Sequence, residues 1–507
     1  MKFSRRTGWL TLIFFIALTA HLLPGPRTVD DAFITFRYAR NLLAGSGFVF
    51  NPGEQVQGTT TPLYALLMTG LGALTGGPNA PFPVIAWLVN GLASAATAVL
   101  IAHLGQRAGS ERAGLAAAAV WAVAPYSVSF AVGGLETSVY GLLLTGLTAA
   151  YLARRRTITG LLGALAILTR PDAVLLVGPL MLHRLYCALR KNEPLQAGEL
   201  LAFALPCAAW GLFAWSYFGS PIPHSVTAKL QVYRLSEGDA LIRLVQHYAT
   251  PFLLQNLVGA GPAVAAGLIL FPFLYLLGAR TAFGREPRLL AWLAYPWLYF
   301  LVFALPNPLI FRWYLTPPLP AYFLMILIGL DGLLSRLLIR PGKPARAAWV
   351  MALLLVLPLV STLSEWRLRL DHGPANPAPE MAFIKLEELY REAARRTAPQ
   401  MSAQTVLAAG DVGVLGYYTP ARILDTVGLN SPAALQYYPI PAEDYVINYA
   451  VPAEMILNER PDWVILLEVY VRRTLLQNED FLAQYELVDT LPTDMYGSSG
   501  MLIWKRR

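Results

Sequence analysis

The chain has 507 residues, 56% hydrophobic and 14% charged, with a mean hydropathy of +0.48. That balance excludes a water-soluble globule and leaves a multi-spanning membrane protein. The net charge of +8 argues for no nucleic-acid partner, because the basic residues form short clusters between apolar runs, as the positive-inside rule produces.

The first apolar segment, 8–23, follows "MKFSRR" and reads as a retained helix, since the residues before Ala20 lack a small-x-small cleavage pattern. Further segments lie at 62–76, 81–105, 112–131, 136–153, 158–169, 173–189, 198–218, 254–278, 289–305, 313–335 and 347–363. Each is expected to be helical, because backbone facing lipid must satisfy its own hydrogen bonds. Segment 62–76 starts at Pro62 and is short against the ~20 residues a span needs. If it does not cross, "KFSRR", "QRAGSER", "ARRRT", "HRLYCALRKNE", "ARTAFGREPR" and "RLLIRPGKPAR" all fall inside. The parity then gives eleven spanning helices, a cytoplasmic N-terminus and an extracytoplasmic C-terminus in a multi-pass cell (inner) membrane protein.

The first outer loop, 24–80, holds "TVDDAFITFRYARNLL" (28–43), with two adjacent acids, Asp30 and Asp31. Ala32, Phe36, Ala39 and Leu43 recur at helical spacing, with Arg37, Arg40 and Asn41 on another face, as in an interfacial amphipathic helix. The acids stand at the positive end of its dipole, and Asp30 in the bland reading is its N-cap. The other outer segments are "GGLETSVY" (133–140), the break "LTRPDA" (168–173), a second large loop at 219–253 and "PNPLIFRWYLTPPLP" (306–320). Glu136, Arg170, Asp172, Lys229 and Arg312 therefore share one side of the membrane with the acid pair.

Ionisable residues at membrane depth are costly, and here they have a common chemistry available. Cations hold a phosphate while a carboxylate takes a proton from an incoming hydroxyl, which suits transfer from a lipid-phosphate donor. Lys229, Arg312 and Arg170 are the candidate phosphate contacts. Gln57, Thr59 and Thr60 in "VQGTTTP" read either as lining a cleft or as a polar turn before Pro62, and Glu136 either as a functional acid or as a helix-dipole partner. Asp30 and Asp31 are also a minimal ligand set for Mg²⁺ or Ca²⁺, and no other metal set is legible: two cysteines, Cys187 and Cys207, sit in or beside apolar segments and six histidines are scattered.

"VDDAFITFRYARNLLAGSGFVFNPGEQVQGTTTPLYALL" resembles the first outer loop of the GT-C superfamily of polyprenyl-phosphate-sugar-dependent glycosyltransferases, closest in pattern to the arabinofuranosyltransferase B type and to relatives of protein O-mannosyltransferases and lipid A aminoarabinose transferases. "GGLETSVY", "LTRPDA", "PIPHSVTAK", "FRWYLTPPLP" and "AAGDVGVLGYYTPARILDTVGL" extend the resemblance to about residue 430. It implies an α-helical polytopic GT-C module over 1–363 and an inverting transferase acting on a glycan, lipid or protein acceptor. Asp30 would be the general base, Asp31 would orient the acceptor, hold a metal or support Asp30, and His224 stands where the family pattern often has Asn. The alternative class is a transporter or flippase, which the absence of a legible two-fold repeat disfavours.

Beyond residue 364 the composition shifts. A polar linker leads to an amphipathic helix at about 380–396 and the short apolar runs "TVLAAG", "ARILDTVG", "DWVILL", "YELVDTL" and "MLIWK", which indicate a small α/β extracytoplasmic domain over 364–507. The glycines of "GDVGVLG" (410–416) read as a tight strand-to-helix turn rather than a dinucleotide site.

Overall fold

The computed structural model describes residues 5–190, 193–338, 345–367, 377–379 and 383–507. Every apolar segment forms a helix. The membrane module begins with α1 (Arg5–Leu22), α2 (Asp30–Leu43), α3 (Pro62–Thr75), α4 (Phe82–Arg107), α5 (Glu111–Val123) and α6 (Pro125–Val132). It continues with α7 (Thr137–Leu152), α8 (Arg156–Thr169), α9 (Val174–Arg190), α10 (Ala197–Phe218), α11 (His224–Val232), α12 (Asp239–Ala249) and α13 (Gln255–Val258). The last four are α14 (Ala260–Arg285), α15 (Leu290–Ala304), α16 (Leu319–Leu338) and α17 (Ala345–Leu363).

The protein is a multi-pass membrane protein: among the described residues six helices are long and apolar enough to cross, or seven if the α5–α6 pair is one bent span. The sequence segment 112–131 reads as one helix, and the structure bends it by 43° at Ala124–Pro125. Pro125 supplies no N–H to α5 and starts α6 at N1 instead. Helices α14 and α16 cross closely because a Cβ at Gly278 would lie 1.9 Å from the Met325 carbonyl oxygen, and one at Gly329 2.0 Å from that of Leu274. Helix α3 begins and ends beside α2. Its Gly72 packs on Leu43 and Phe82, and the Phe82 ring stacks on Phe36 at 5.9 Å.

The basic clusters meet on one face of the bundle. Arg6 pairs with Glu111 at 3.6 Å, Arg107 with Glu286 at 3.6 Å, Arg112 with Asp331 at 3.0 Å and Arg156 with Glu193 at 3.2 Å. Arg107 also donates to the Leu152 carbonyl at 3.2 Å, which ties the "ARRRT" turn to the same face. The stretches of these clusters at 1–4, 191–192 and 339–344 lie outside the described residues, as does 368–376 of the linker. The loop expected at 219–253 is largely helical, forming α11 and α12.

A short strand pair, β1 (Trp366–Arg367) with β2 (Ala378–Pro379), precedes α18 (Phe383–Thr397). All five apolar runs beyond it become strands: β3 (Val406–Ala409), β4 (Arg422–Asp425), β5 (Trp463–Leu467), β6 (Tyr485–Leu491) and β7 (Met501–Arg506). They form one sheet in the order β4-β3-β5-β7-β6, with β4, β3 and β5 parallel and β5, β7 and β6 antiparallel. Helix α19 (Gly413–Tyr418) follows β3 directly and packs on α2 of the membrane module.

Candidate functional site

Helix α2 is covered by the C-terminal region, with α19 packed against it. Arg37 and Asn41, read from the sequence as part of a polar outer face, are 4% and 8% exposed. The Arg37 guanidinium donates to the carbonyls of Phe50 at 2.7 Å, Ala421 at 3.1 Å and Gly416, and to Asn51 Oδ1 at 3.2 Å. Arg40 donates to the Tyr417 carbonyl at 2.6 Å. The amphipathic pattern is real, but its polar side is matched to carbonyls of a partner nearly 380 residues away in sequence. Satisfying donors in this way makes their burial tolerable.

The two acids at the start of α2 have different surroundings. Asp30 is the first residue of α2, and Val29 occupies the N-cap position with no side-chain cap. The Asp30 carboxylate caps a helix that is not its own: Oδ2 accepts from the Gly413 N–H at 2.9 Å and Oδ1 from the Val414 N–H at 2.7 Å, at the start of α19. Contact is close enough that a Cβ at Gly413 would sit 1.8 Å from the Asp30 carbonyl oxygen. The "GDVGVLG" glycines thus make a strand-to-helix turn and also admit α2 against it. Burial, and then the charge of Asp411, raise the Asp30 pKa well above the ordinary carboxylate value, against the pull of the two N–H groups. Asp411 itself accepts from the hydroxyls of Tyr390 at 2.7 Å and Tyr470 at 3.3 Å, and burial pushes it up to about 6.

Asp31 instead lines a cavity of about 320 Å³ that also receives Thr35, Thr59, Thr60, Glu136, Arg170, Asp172, Ser225, Lys229 and Tyr314. It makes no hydrogen bond or ion pair among the described residues; burial raises its pKa and Lys229 pulls it back. Lys229 on α11 donates to the Tyr314 hydroxyl at 3.4 Å and lies over the Phe311 ring at 4.9 Å. Burial works against its charge, yet Tyr314 and Asp31 leave its pKa raised. Arg170, in the break between α8 and α9, is bidentate to Asp172 at 2.9 and 3.2 Å and donates to Glu136 at 3.1 Å. Its guanidinium stands over Tyr314 at 4.6 Å, so a buried ion-pair frame forms one wall of the cavity.

Seven of the sequence-derived candidates therefore meet: Asp31, Thr59, Thr60, Glu136, Arg170, Asp172 and Lys229. The others lie elsewhere. The His224 main-chain N–H donates to the Gln57 carbonyl at 2.9 Å, and burial lowers its imidazole pKa; this pair braces α11 against the first outer loop beside the cavity. Arg312 lines a second cavity, of about 420 Å³, on the far side of the Arg312–Leu315 turn. Within this 3₁₀ turn Arg312 and Leu315, one full turn apart, line the second cavity, and Trp313 and Tyr314 line the first. Tyr314, Ser225 and Asp411 were not singled out from the sequence. Tyr314 belongs to the same "FRWYL" motif, and Asp411 to the turn read only for its glycines.

No group of three or more His, Cys, Asp or Glu among the described residues is placed to hold a metal ion. With Asp30 engaged by main-chain N–H groups, the pair presents one carboxylate to the cavity. Next to this cavity an apolar groove of about 500 Å³ runs between α3, α8 and α10, lined by Leu42, Phe48, Pro62, Leu66, Leu168 and Trp210 among others. Groove and cavity meet at the neighbouring positions Thr61–Pro62 and Leu168–Arg170.

Residues 382–504 match a family model described as a domain of unknown function, DUF8728. A terminal β-(1→2)-arabinofuranosyltransferase of Mycobacterium tuberculosis (strain ATCC 25618 / H37Rv) is 31% identical over 221 residues, 39% of this chain. The match spans about a third, 34%, of that relative's length. Among solved structures, the apo oligosaccharyltransferase of Archaeoglobus fulgidus is similar at a TM-score of 0.59 and 12% identity, covering 92% of this chain and 70% of that one. ArnT from Cupriavidus metallidurans matches at a TM-score of 0.57 and 14% identity over 99% of this chain and 98% of its own. The same ArnT bound to undecaprenyl phosphate matches at 0.55 and 13% identity, over 98% of each chain. The fold of this chain is therefore a GT-C fold, as in these solved structures.

Proposed function

We propose that the protein is an inverting glycosyltransferase that moves a sugar from a polyprenyl-phosphate donor to a hydroxyl of an extracytoplasmic glycan, lipid or protein acceptor. The observation that carries this reading is the juxtaposition of Asp31 and Lys229 in a cavity that borders an apolar groove. The groove suits an isoprenoid chain, and the structural neighbour ArnT binds undecaprenyl phosphate. In this orientation the basic face is cytoplasmic, eleven helices cross, and the cavity and C-terminal sheet lie outside.

In the transfer, the acceptor oxygen forms a bond to the anomeric carbon as the bond from that carbon to the phosphate oxygen breaks. The leaving polyprenyl phosphate keeps the electron pair, and Lys229 with the Tyr314 hydroxyl stabilises its charge. Asp31 takes the acceptor proton; its raised pKa brings it nearer to neutrality, where a carboxylate base is more effective. Arg170, already bound to Glu136 and Asp172, holds the wall of the cavity and lends positive potential to the phosphate. This reading exchanges the roles that the resemblance implies: Asp31 is the base, and Asp30 fixes α2 to α19 and so sets where Asp31 points.

The test is turnover of radiolabelled polyprenyl-phosphate pentoses, hexoses and amino sugars by the protein in lipid nanodiscs, beside Asp31→Asn. A pentofuranosyl donor heads the panel, given the name of the mycobacterial relative. Turnover of one donor that vanishes in Asp31→Asn supports the reading. A folded wild-type protein that turns over no donor, with or without envelope glycans as acceptors, would move the assignment to lipid transport.

A further inference from the structure

The second cavity, of about 420 Å³, contains buried polar groups without protein partners. His247 on α12 is 4% exposed; one ring nitrogen faces the Leu315 carbonyl and the other meets no protein partner among the described residues. The Oε1 of Gln255 is likewise buried and unpartnered. Gln246, Thr250, Ser129 and Arg243 line the same space, and the Tyr126 ring stands edge-on to His247 at 4.9 Å. Leaving such groups unpaired costs about 1–3 kcal/mol each, so their gathering around one cavity points to a ligand that satisfies them.

The donors and acceptors define that ligand. An amide oxygen needs a hydrogen-bond donor, which a fully ionised phosphate or a carboxylate cannot supply. A neutral imidazole whose N–H faces the Leu315 carbonyl still needs a donor for its other nitrogen, and the Arg243 guanidinium, which donates to the Ile310 carbonyl, has further N–H groups to place. A hydroxyl is both, and a polyhydroxylated ring also offers C–H faces to Tyr126 and Phe130. The Phe130–Trp313 contact, with centroids 6.3 Å apart, lies between this space and the cavity holding Asp31, since Phe130 lines one and Trp313 the other.

We propose that the cavity beyond the Phe130–Trp313 pair is a carbohydrate subsite that grips an oligosaccharide acceptor away from its reacting hydroxyl. The inference rests on the glycosyltransferase reading, but its test is independent of turnover. The full-length protein in nanodiscs is applied to an array of pentofuranosyl, hexopyranosyl and amino-sugar oligosaccharides, with Ser129→Trp to fill the cavity and Gln255→Ala to remove one contact. Retained binding of undecaprenyl phosphate certifies each variant as folded; should Ser129→Trp fail that check, Gln255→Ala carries the test. The expected result is binding of at least one oligosaccharide class, weakened at least about tenfold by Ser129→Trp and roughly threefold to tenfold by Gln255→Ala. A blank array, or binding that both folded variants retain, overturns the proposal. Donor turnover abolished by Asp31→Asn would still stand in that case, so the two failures are separable.

Discussion

Arg184 and Arg170 are both buried arginines held by carboxylates near the ends of apolar helices, one on the basic face of the bundle and one at the cavity face. Arg184 is bound to Glu199 through three contacts of 2.9–3.2 Å and donates to the carbonyls of Glu193 and Pro194 at 2.8 Å each. Around it Arg156 pairs with Glu193 and Arg288 with Glu286, so the carboxylates of that small cavity are each matched by an arginine. Arg170 is equally well paired, but beside it Asp31 and Lys229 face an open volume without bonding each other. Residue type and burial are therefore common to both ends. What separates a structural ion pair from a site is charge that the fold leaves to be completed by something else.

Breaking the site should show the largest effect. Lys229→Met removes the charge available to the leaving phosphate and is expected to lower turnover by about 10²–10³-fold, with thermal unfolding little changed. On the basic face the pattern reverses. Glu199→Gln leaves Arg184 buried with its charge partner gone and should destabilise the protein by about 3–5 kcal/mol, read by chemical denaturation in detergent, while turnover per folded molecule holds. A substantial activity loss there at full stability would erase the contrast.

The docking of α19 sits between these extremes. Gly413→Ala forces a methyl group against the Asp30 main chain, and the expected cost is about 1–3 kcal/mol, seen as faster protease cleavage in the 383–507 region of the intact chain. The smallest effect is in pH. Burial raises both Asp411 and Asp425 to about 6. An acid whose folded pKa is raised stabilises the fold below its unfolded value, and that contribution is lost as pH rises through the folded value. Thermal stability attributable to these groups should fall between about pH 4 and pH 6, and Asp411→Asn should flatten that slope.

Much of this was legible in the sequence where one chain segment decides the outcome. Apolar runs became helices because lipid leaves the backbone no other partner, and the alternating runs after residue 400 became strands. Sidedness alone brought Asp31, Thr59, Glu136, Arg170 and Lys229 together. Legibility ended where two distant segments decide jointly. Arg37 is a solvent-facing cation by helical periodicity, and only α19 turns it into a buried donor. Asp30 looks like the N-cap of its own helix, since nothing local reveals the N-terminus of α19 above it. Arg312 and Tyr314 are two residues apart, and the 3₁₀ turn assigns them to different cavities.

In the proposed mechanism the second acid of the pair does the chemistry and the first holds it in place. The most direct measurement is single-turnover transfer with donor already bound, comparing wild type, Asp31→Asn and Asp30→Asn with matched thermal unfolding curves. The expected result is a loss of about 10²–10⁴-fold for Asp31→Asn at unchanged stability, and a smaller rate loss accompanied by weaker docking of the C-terminal region for Asp30→Asn. Full loss in Asp30→Asn with docking intact, and a working Asp31→Asn, would contradict it.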